Sequence, residues 1–357
     1  VTCNLLNMRI AIDVREACKP QKAGKGQWAY EFVEELLTRD VGVLLLTDSA
    51  LPEKWTQSKV LRLKPGVLWH WRAASYIESS RDIDVYISPT SFIVPFLLPK
   101  RIACVPVIHD MIAFRSEPHD IKATLIERLL LKRALKKAVH ILTVSGATKN
   151  DVLERFSFLS SANVSPIFAG PTHGHARENT PDGKTILCIA TLSPRKNQLR
   201  LIKAYKALPE ALRKQFQLLL VGSRGWNDNA IVQLAQDTDG VTWKGYVEER
   251  QYQSLLCNAS VFAFPSLYEG FGLPVLDAMQ RGLPVLTSDC GSLREVAGNA
   301  ALTIDPDSTD SISKGLERLL TDENLRRDLR AKGMIQAKKF SWKKTVDLFL
   351  ETIKELQ

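Results

Sequence analysis

No apolar run in this 357-residue chain reaches the ~18 residues that a membrane span requires. No charged n-region followed by an apolar h-region opens it, so no secretory signal is expected. The six cysteines (Cys3, Cys18, Cys104, Cys188, Cys257 and Cys290) lie far apart without a CxxC pair. That spacing speaks against a disulfide framework and a zinc site, and for reduced thiols. No internal repeat and no low-complexity tract appears. The chain is therefore read as cytoplasmic, with contact at the inner face of a membrane as the alternative.

What is present is enough apolar matter for a packed core: 45% of residues are hydrophobic, over a length that suggests two domains. The formal charge is +9, which favours anionic partners, whether nucleic acid, acidic lipid or a phosphorylated ligand. Residues 122–137 alternate basic with apolar positions at helical spacing. The ordinary reading is a solvated helix with one buried face; docking to anionic lipid is the other.

Short apolar strand candidates alternate with amphipathic helix candidates from end to end. Strands are expected at 8–14, 41–46, 85–88, 103–108 and 140–144, with helices at 27–38, 69–80, 122–138 and 146–156. Around 169–184 the sequence "AGPTHGHARENTPDGK" has no periodicity and many turn formers, so it reads as a linker. The alternation then restarts, with strands at 185–190, 216–221, 241–244, 261–265, 284–287 and 301–304, and helices at 198–208 and 273–281. A helical tail follows, capped by Ser341. Such alternation predicts an α/β protein with parallel sheets covered on both faces. The division expected is a Rossmann-like domain over 1–180, a second over 181–340, and a final helix over 341–357 that crosses back to the first. Ligands in open α/β sheets bind at the carboxyl ends of the strands.

Several turns at those ends suit phosphate or sugar. "AGKGQW" follows the first strand and opens a helix, where Gly24 lets backbone amides approach an anion. "SLYEGFGLPVLDAM" puts Glu269 before Gly270 and Gly272, with the amides of Phe271, Gly272 and Leu273 unpaired at a helix start. Glu269 can accept hydroxyl hydrogen bonds or simply cap the helix. Asp277, about one turn in, can hold a ribose or remain solvated. "TLSPRKNQ" offers Arg195 and Lys196 together, a forked donor beside a compact charge. "VPVIHD" places His109 and Asp110 at the end of a buried strand.

Taken together, and with "TVSGATKND", "LLLVGSRGW", "KGYV" and "GLPVLTSDCGSLREVAGNAALTIDP" in order between and after them, these stretches resemble the family-4 retaining glycosyltransferases, group 1, of GT-B fold. The resemblance implies two facing Rossmann-like domains with a cleft between them. It implies that Glu269 binds donor-sugar hydroxyls, and that Asp277 stands where the family has a ribose-holding glutamate. Arg195 and Lys196 would neutralise the departing diphosphate. Gly24 and the 271–273 amides would close on the phosphates, His109 would face the transferred sugar, and Tyr246 with Val247 would lie at the base. The arginine many members carry just after the strand is Thr191 here, which shifts the load onto the Arg–Lys pair. The family's Leu-Pro-Glu is Leu293-Arg294-Glu295.

Preorganised amides and cations lower the barrier for a leaving diphosphate without a proton donor, so no metal and no cofactor beyond the nucleotide sugar is expected. The D-x-D strings at 82–84, 237–239 and 305–307 are not read as metal sites. The implied partners are a nucleotide sugar, UDP-glucose-like ahead of GDP-mannose, and a glycan or polyprenyl-linked saccharide acceptor. An epimerase of the same fold is the nearest alternative. A basic nucleic-acid-binding protein is another, though few aromatics accompany the basic stretches and no groove-reading motif stands out. The acceptor is expected on the first domain, near "SPTSFIVPFLLPK" and "LWHWR". Both stretches also fit plain packing.

Overall fold

Runs in which every residue is buried, such as Cys104–Ile108 and Val261–Phe264, have no face to give to solvent. They can only be interior strands of sheets covered on both sides. The computed structural model, which describes residues 8–22, 24–115, 121–172 and 178–356, builds two such sheets. The first holds β1 (Arg9–Asp13), β2 (Gly42–Thr47), β3 (Lys59–Arg62), β4 (Val85–Ser88), β5 (Cys104–Ile108), β6 (Ile141–Thr143) and β7 (Val164–Pro166). Its order is β3-β2-β1-β4-β5-β6-β7, parallel throughout, with Ile10 opposite both Val43 and Val85. The second holds β8 (Thr185–Ile189), β9 (Gln217–Val221), β10 (Val241–Trp243), β11 (Val261–Phe264), β12 (Val285–Ser288) and β13 (Leu302–Ile304). Its order is β10-β9-β8-β11-β12-β13, also parallel.

The described residues up to Thr172, together with Ser341 onward, form one compact unit; residues 178–340 form the other. In the first unit, helix Gly24–Leu36 turns Trp28, Ala29, Phe32, Val33 and Leu36 inward at three- and four-residue spacing. The last helix, Trp342–Lys354, lays Phe349 edge-on against Phe32 at 5.3 Å and Trp342 against Trp28 at 5.8 Å. Ser341 caps it, its hydroxyl accepting from the Lys344 amide at 3.2 Å. Gly170 is where this helix starts to lean on the chain: a Cβ there would sit 2.5 Å from the Trp342 nitrogen. In the second unit the later part of the aperiodic stretch, expected as a linker over 169–184, is packed rather than free, and Asn179 is buried. Asn179 Nδ2 donates to the carbonyls of Leu256, Cys257 and Ala259.

Strands β3 and β7 are absent from the sequence reading. Both are edge strands: β3 is mostly exposed and β7 ends in proline, so neither shows an interior strand's apolar run. Helices Asn229–Gln236 and Glu249–Asn258 also go unanticipated, and the first helix starts at Gly24 rather than at residue 27. Among the described residues five cysteines are free; Cys3 lies outside them. No helix among these residues is long and apolar enough to cross a membrane.

Candidate active site

In the second sheet β8 and β11 are neighbours, but the chain leaves them in opposite directions, β8 towards β9 and β11 towards β12. The loops after such a pair part and leave a crevice at the carboxyl edge. Residues 190–197 and 265–272 are those loops. Leu267 donates its amide to the Arg195 carbonyl at 2.9 Å, so the two are stitched together.

Arg195, Lys196 and Glu269, put forward separately by the sequence, meet here. Arg195 Nη1 donates to Glu269 Oε2 at 3.1 Å and to the Tyr268 carbonyl at 2.7 Å. Lys196 Nζ donates to Glu269 Oε1 at 2.5 Å and lies 5.2 Å from the Phe264 ring centre. The three side chains are only 8–14% exposed. Burial alone would raise the Glu269 pKa; Lys196 and then Arg195 outweigh it and hold the carboxyl below its ordinary range. The site thus carries a permanent carboxylate gripped by two cations.

The loop geometry depends on Asn197, which the sequence reading passed over. Its backbone is left-handed, φ 61° and ψ 23°, a conformation asparagine tolerates better than most side chains. Its Nδ2 donates to the carbonyls of Pro265 and Pro306, at 2.9 and 2.7 Å, tying three loops to one amide. Gln198 holds the loop from behind, donating to the Thr191 carbonyl at 3.1 Å. Asn197→Ala is expected to lower stability by about 2–3 kcal/mol, from two orphaned carbonyls, that of Pro265 buried and that of Pro306 half-buried, plus backbone strain. Asn197→Gly should recover only the strain, which urea titration of the two variants separates.

Helix Leu273–Gln280 begins after Gly272, whose φ of 108° favours glycine; a Cβ there would also press on Leu293 Cδ2 at 2.8 Å. Phe271 is a core residue, its ring edge-on to Phe340 at 5.7 Å, so only its amide is available to a ligand. The loop is anchored from the next βα connection: Ser292 Oγ donates to the Glu269 carbonyl and Ser288 Oγ to the Ser266 carbonyl, both at 2.7 Å. Asp277 is buried rather than solvated; its Oδ2 accepts from the Tyr252 hydroxyl at 2.6 Å. Tyr246, exposed, and Val247, half-buried, lie between β10 and the helix that carries Tyr252. Arg294 of the altered Leu293-Arg294-Glu295 string closes on Asp289 at 2.6 Å, an exposed pair.

The first unit gathers Gly24 and His109 at its own carboxyl edge. Gly24 is exposed, with open space where a Cβ would be. His109 lies edge-on to Trp28 of the same helix at 5.2 Å. Its Nε2 is 2.6 Å from the Pro89 carbonyl, which assigns the proton to Nε2. Burial, and after it the charge of Lys25, pull its pKa down to about 4, against the Pro89 bond and Asp110. Lys25 was another residue the sequence reading did not single out. Because the folded pKa lies below the ordinary 6.5, the unfolded chain binds a proton first as pH falls. The associated stability is whole above about pH 6.5 and drains away towards pH 4. His109→Asn should therefore reduce the acid-side loss of stability by about 2 kcal/mol between pH 7 and 4.5, read by urea titration.

Just past the end of β1 lies Arg15, which the sequence reading does not single out. Its guanidinium forks onto Asp13 at 2.9 and 3.1 Å, lies 3.4 Å from the Trp69 ring centre, and reaches His70 Nε2 at 3.0 Å. Of "LWHWR", Trp69 is core and Trp71 is 62% exposed. In "SPTSFIVPFLLPK", Phe92, Val94 and Leu98 are buried and Leu97 is not. The first D-x-D is occupied by Arg9, which bonds Asp82 and Asp84, and Asp307 pairs with Arg200 at 3.2 Å. Among the described residues no three His, Cys, Asp or Glu side chains are grouped to hold a metal.

Comparison with known proteins adds the following. The family model described as glycosyl transferases group 1 matches residues 174–336. The O-antigen chain mannosyltransferase B of Escherichia coli is 34% identical over 263 residues, covering 69% of this chain and 69% of that protein. The O-antigen chain mannosyltransferase RfbU of Salmonella typhimurium is 28% identical over 273 residues, covering 73% and 74%. Sucrose-phosphate synthase from Thermosynechococcus elongatus superposes with a TM-score of 0.80 at 19% identity, over 98% of this chain and 99% of that one. That likeness shows the GT-B fold of two Rossmann-like domains.

Proposed function

The chain belongs to the glycosyl transferases group 1 family and is a glycosyltransferase of polysaccharide biosynthesis, and from that premise we propose a retaining transfer of mannose from GDP-mannose to a glycan or polyprenyl-linked saccharide. The preference moves from a UDP-hexose to GDP-mannose because both curated relatives are named mannosyltransferases. The observation that carries the mechanism is the Arg195–Glu269–Lys196 cluster at the β8/β11 crevice.

Cleavage of the bond between anomeric carbon and phosphate leaves a nucleoside diphosphate with growing negative charge. Two fixed cations and the amides of residues 271–273 stabilise that charge where it develops. In this reading the diphosphate takes over Arg195 and Lys196, and Glu269, eased from them, accepts hydrogen bonds from the sugar hydroxyls. Asp277, steadied by Tyr252, and the Tyr246–Val247 loop serve the nucleoside. Gly24 serves the phosphates and neutral His109 the transferred sugar.

With Glu269 assigned to the sugar hydroxyls, no carboxylate is assigned to the anomeric carbon, which favours attack by the acceptor on the face the diphosphate leaves, the diphosphate oxygen taking the proton. The cations already supply the charge a divalent ion would bring, so transfer is expected to persist in EDTA. A thermal-shift panel of GDP, UDP and their sugars tests the donor: stabilisation by UDP-sugars alone would overturn it. An anomeric product assay by NMR, and intact mass for a sugar–enzyme adduct, test the stereochemistry. Conversion of the sugar nucleotide without acceptor would favour the epimerase instead.

A further inference from the structure

Helix Glu249–Asn258 begins just after the Tyr246–Val247 loop and carries Tyr252 in its first turn. The Tyr252 hydroxyl donates to Asp277 Oδ2 on helix Leu273–Gln280. The two partners are not equally placed. Asp277 is only 1% exposed and Tyr252 is half-buried, so the phenol is the outer member of the pair. A second link, one residue on, fixes their spacing. Arg281, fully buried, donates from Nη1 to the Asp277 carbonyl at 2.9 Å and from Nη2 to Gln253 Oε1. Burying a guanidinium is costly; this one joins the backbone of Asp277 to the neighbour of Tyr252. The phenol is therefore held at a set place on the surface of the second unit.

We propose that the Tyr252 phenol accepts a hydrogen bond from a ribose hydroxyl of the bound nucleotide, and that Asp277 acts through it as a positioning residue. The inference rests on the nucleoside reading of Asp277 given above and names the group that makes the contact. A phenol has one proton to give. Asp277 takes it, so towards a further group Tyr252 acts only as an acceptor, and the bond to a carboxylate strengthens that oxygen as one. Such an acceptor selects hydroxyl donors, which a ribose supplies. The position agrees. On one side its helix opens from the loop assigned to the base; on the other its hydroxyl meets the helix whose first amides are assigned to the phosphates. The ribose of a nucleotide held by both lies between them. The buried aspartate is too short to reach it directly, and the tyrosine supplies the missing length.

The test is isothermal titration of the full chain with GDP and with UDP, each beside its 2′-deoxy and 3′-deoxy analogues. For whichever base binds, one deoxy analogue is expected to bind about tenfold more weakly than the ribonucleotide, the worth of one hydrogen bond. Y252F should lose about that same factor with the ribonucleotide and nothing with that analogue, so the discrimination disappears. D277E/Y252F, whose longer carboxylate reaches the hydroxyl itself, should restore it. Urea titration confirms that each variant is folded, and Y252F decides alone if the double variant is not. A parent chain that binds the ribonucleotide and both analogues equally would overturn the proposal while leaving the nucleotide-sugar reading in place. So would Y252F that discriminates like the parent chain, or a folded D277E/Y252F that binds no better than Y252F. Y252F that weakens ribonucleotide and analogues alike would reduce the pair to a link between helices. A parent chain that binds neither GDP nor UDP would remove the nucleotide-sugar reading, and this inference with it.

Discussion

Lys196→Ala is expected to lower kcat for sugar transfer about a hundred- to a thousandfold, the range seen when one preorganised stabilising group is removed from an active site. Lys196 is a point charge whose ammonium sits against Glu269 and beside the Phe264 face, only 14% exposed. In that setting its field is poorly screened, so its loss falls on the step in which the diphosphate gathers charge. Arg195 remains bonded to Glu269 and to the Tyr268 carbonyl, so the loop survives. KM for the donor should rise less than kcat falls. Initial rates with GDP-mannose and a saccharide acceptor, with Lys196→Met as a length-matched control, measure this. A variant with near-parental kcat would remove Lys196 from the mechanism.

Glu269→Ala carries the second large effect, and it falls on stability as well as on activity. The substitution leaves two nearly buried cations facing each other without the carboxylate that neutralises them. Breaking such a pair costs about 3–5 kcal/mol. Activity should be lost altogether. Glu269→Gln keeps the shape and the hydrogen-bond acceptor while removing the charge. It should restore part of the stability and leave kcat about a thousandfold down. The pH dependence follows the same pair. With its folded pKa held below the ordinary glutamate value, Glu269 contributes stability that is present above about pH 4.5 and is lost as pH falls through the folded pKa. In Glu269→Gln that acid limb should shrink. Urea titrations from neutral to acid pH read both effects.

Much of the frame was legible because parallel strands advertise themselves: "VPVI" and "VFAF" are apolar on both faces and are bounded by turn formers. The edges were not, since β3 is only the pair Val60-Leu61 between Lys59 and Arg62 and one of its sides faces no partner strand. Of the site, charged residue types beside glycine turns were visible one at a time. The family resemblance assigns them to one donor, but their direct pairing was not legible, because Arg195 and Glu269 stand 74 residues apart and only the order β8-β11 makes their loops adjacent. The supports were invisible for the same reason. Asn197 looks like any loop asparagine until its amide is found on Pro265 and Pro306, and Ser292 looks like a helix-start serine until its hydroxyl reaches the Glu269 carbonyl. Asp277 was read as either ribose-holding or solvated. Its burial against Tyr252 needed the fold, because nothing in "LPVLDAM" marks one face of that helix as interior.

The central claim is that Arg195 and Lys196 receive the diphosphate of the sugar nucleotide at the carboxyl ends of β8 and β11. A crystal structure of the protein with GDP tests it most directly. The account predicts phosphate oxygens within hydrogen-bond distance of the Arg195 guanidinium and Lys196 Nζ, with Glu269 displaced from at least one of them. GDP bound at another edge of the sheet, with the Arg195–Glu269–Lys196 cluster untouched, would contradict it.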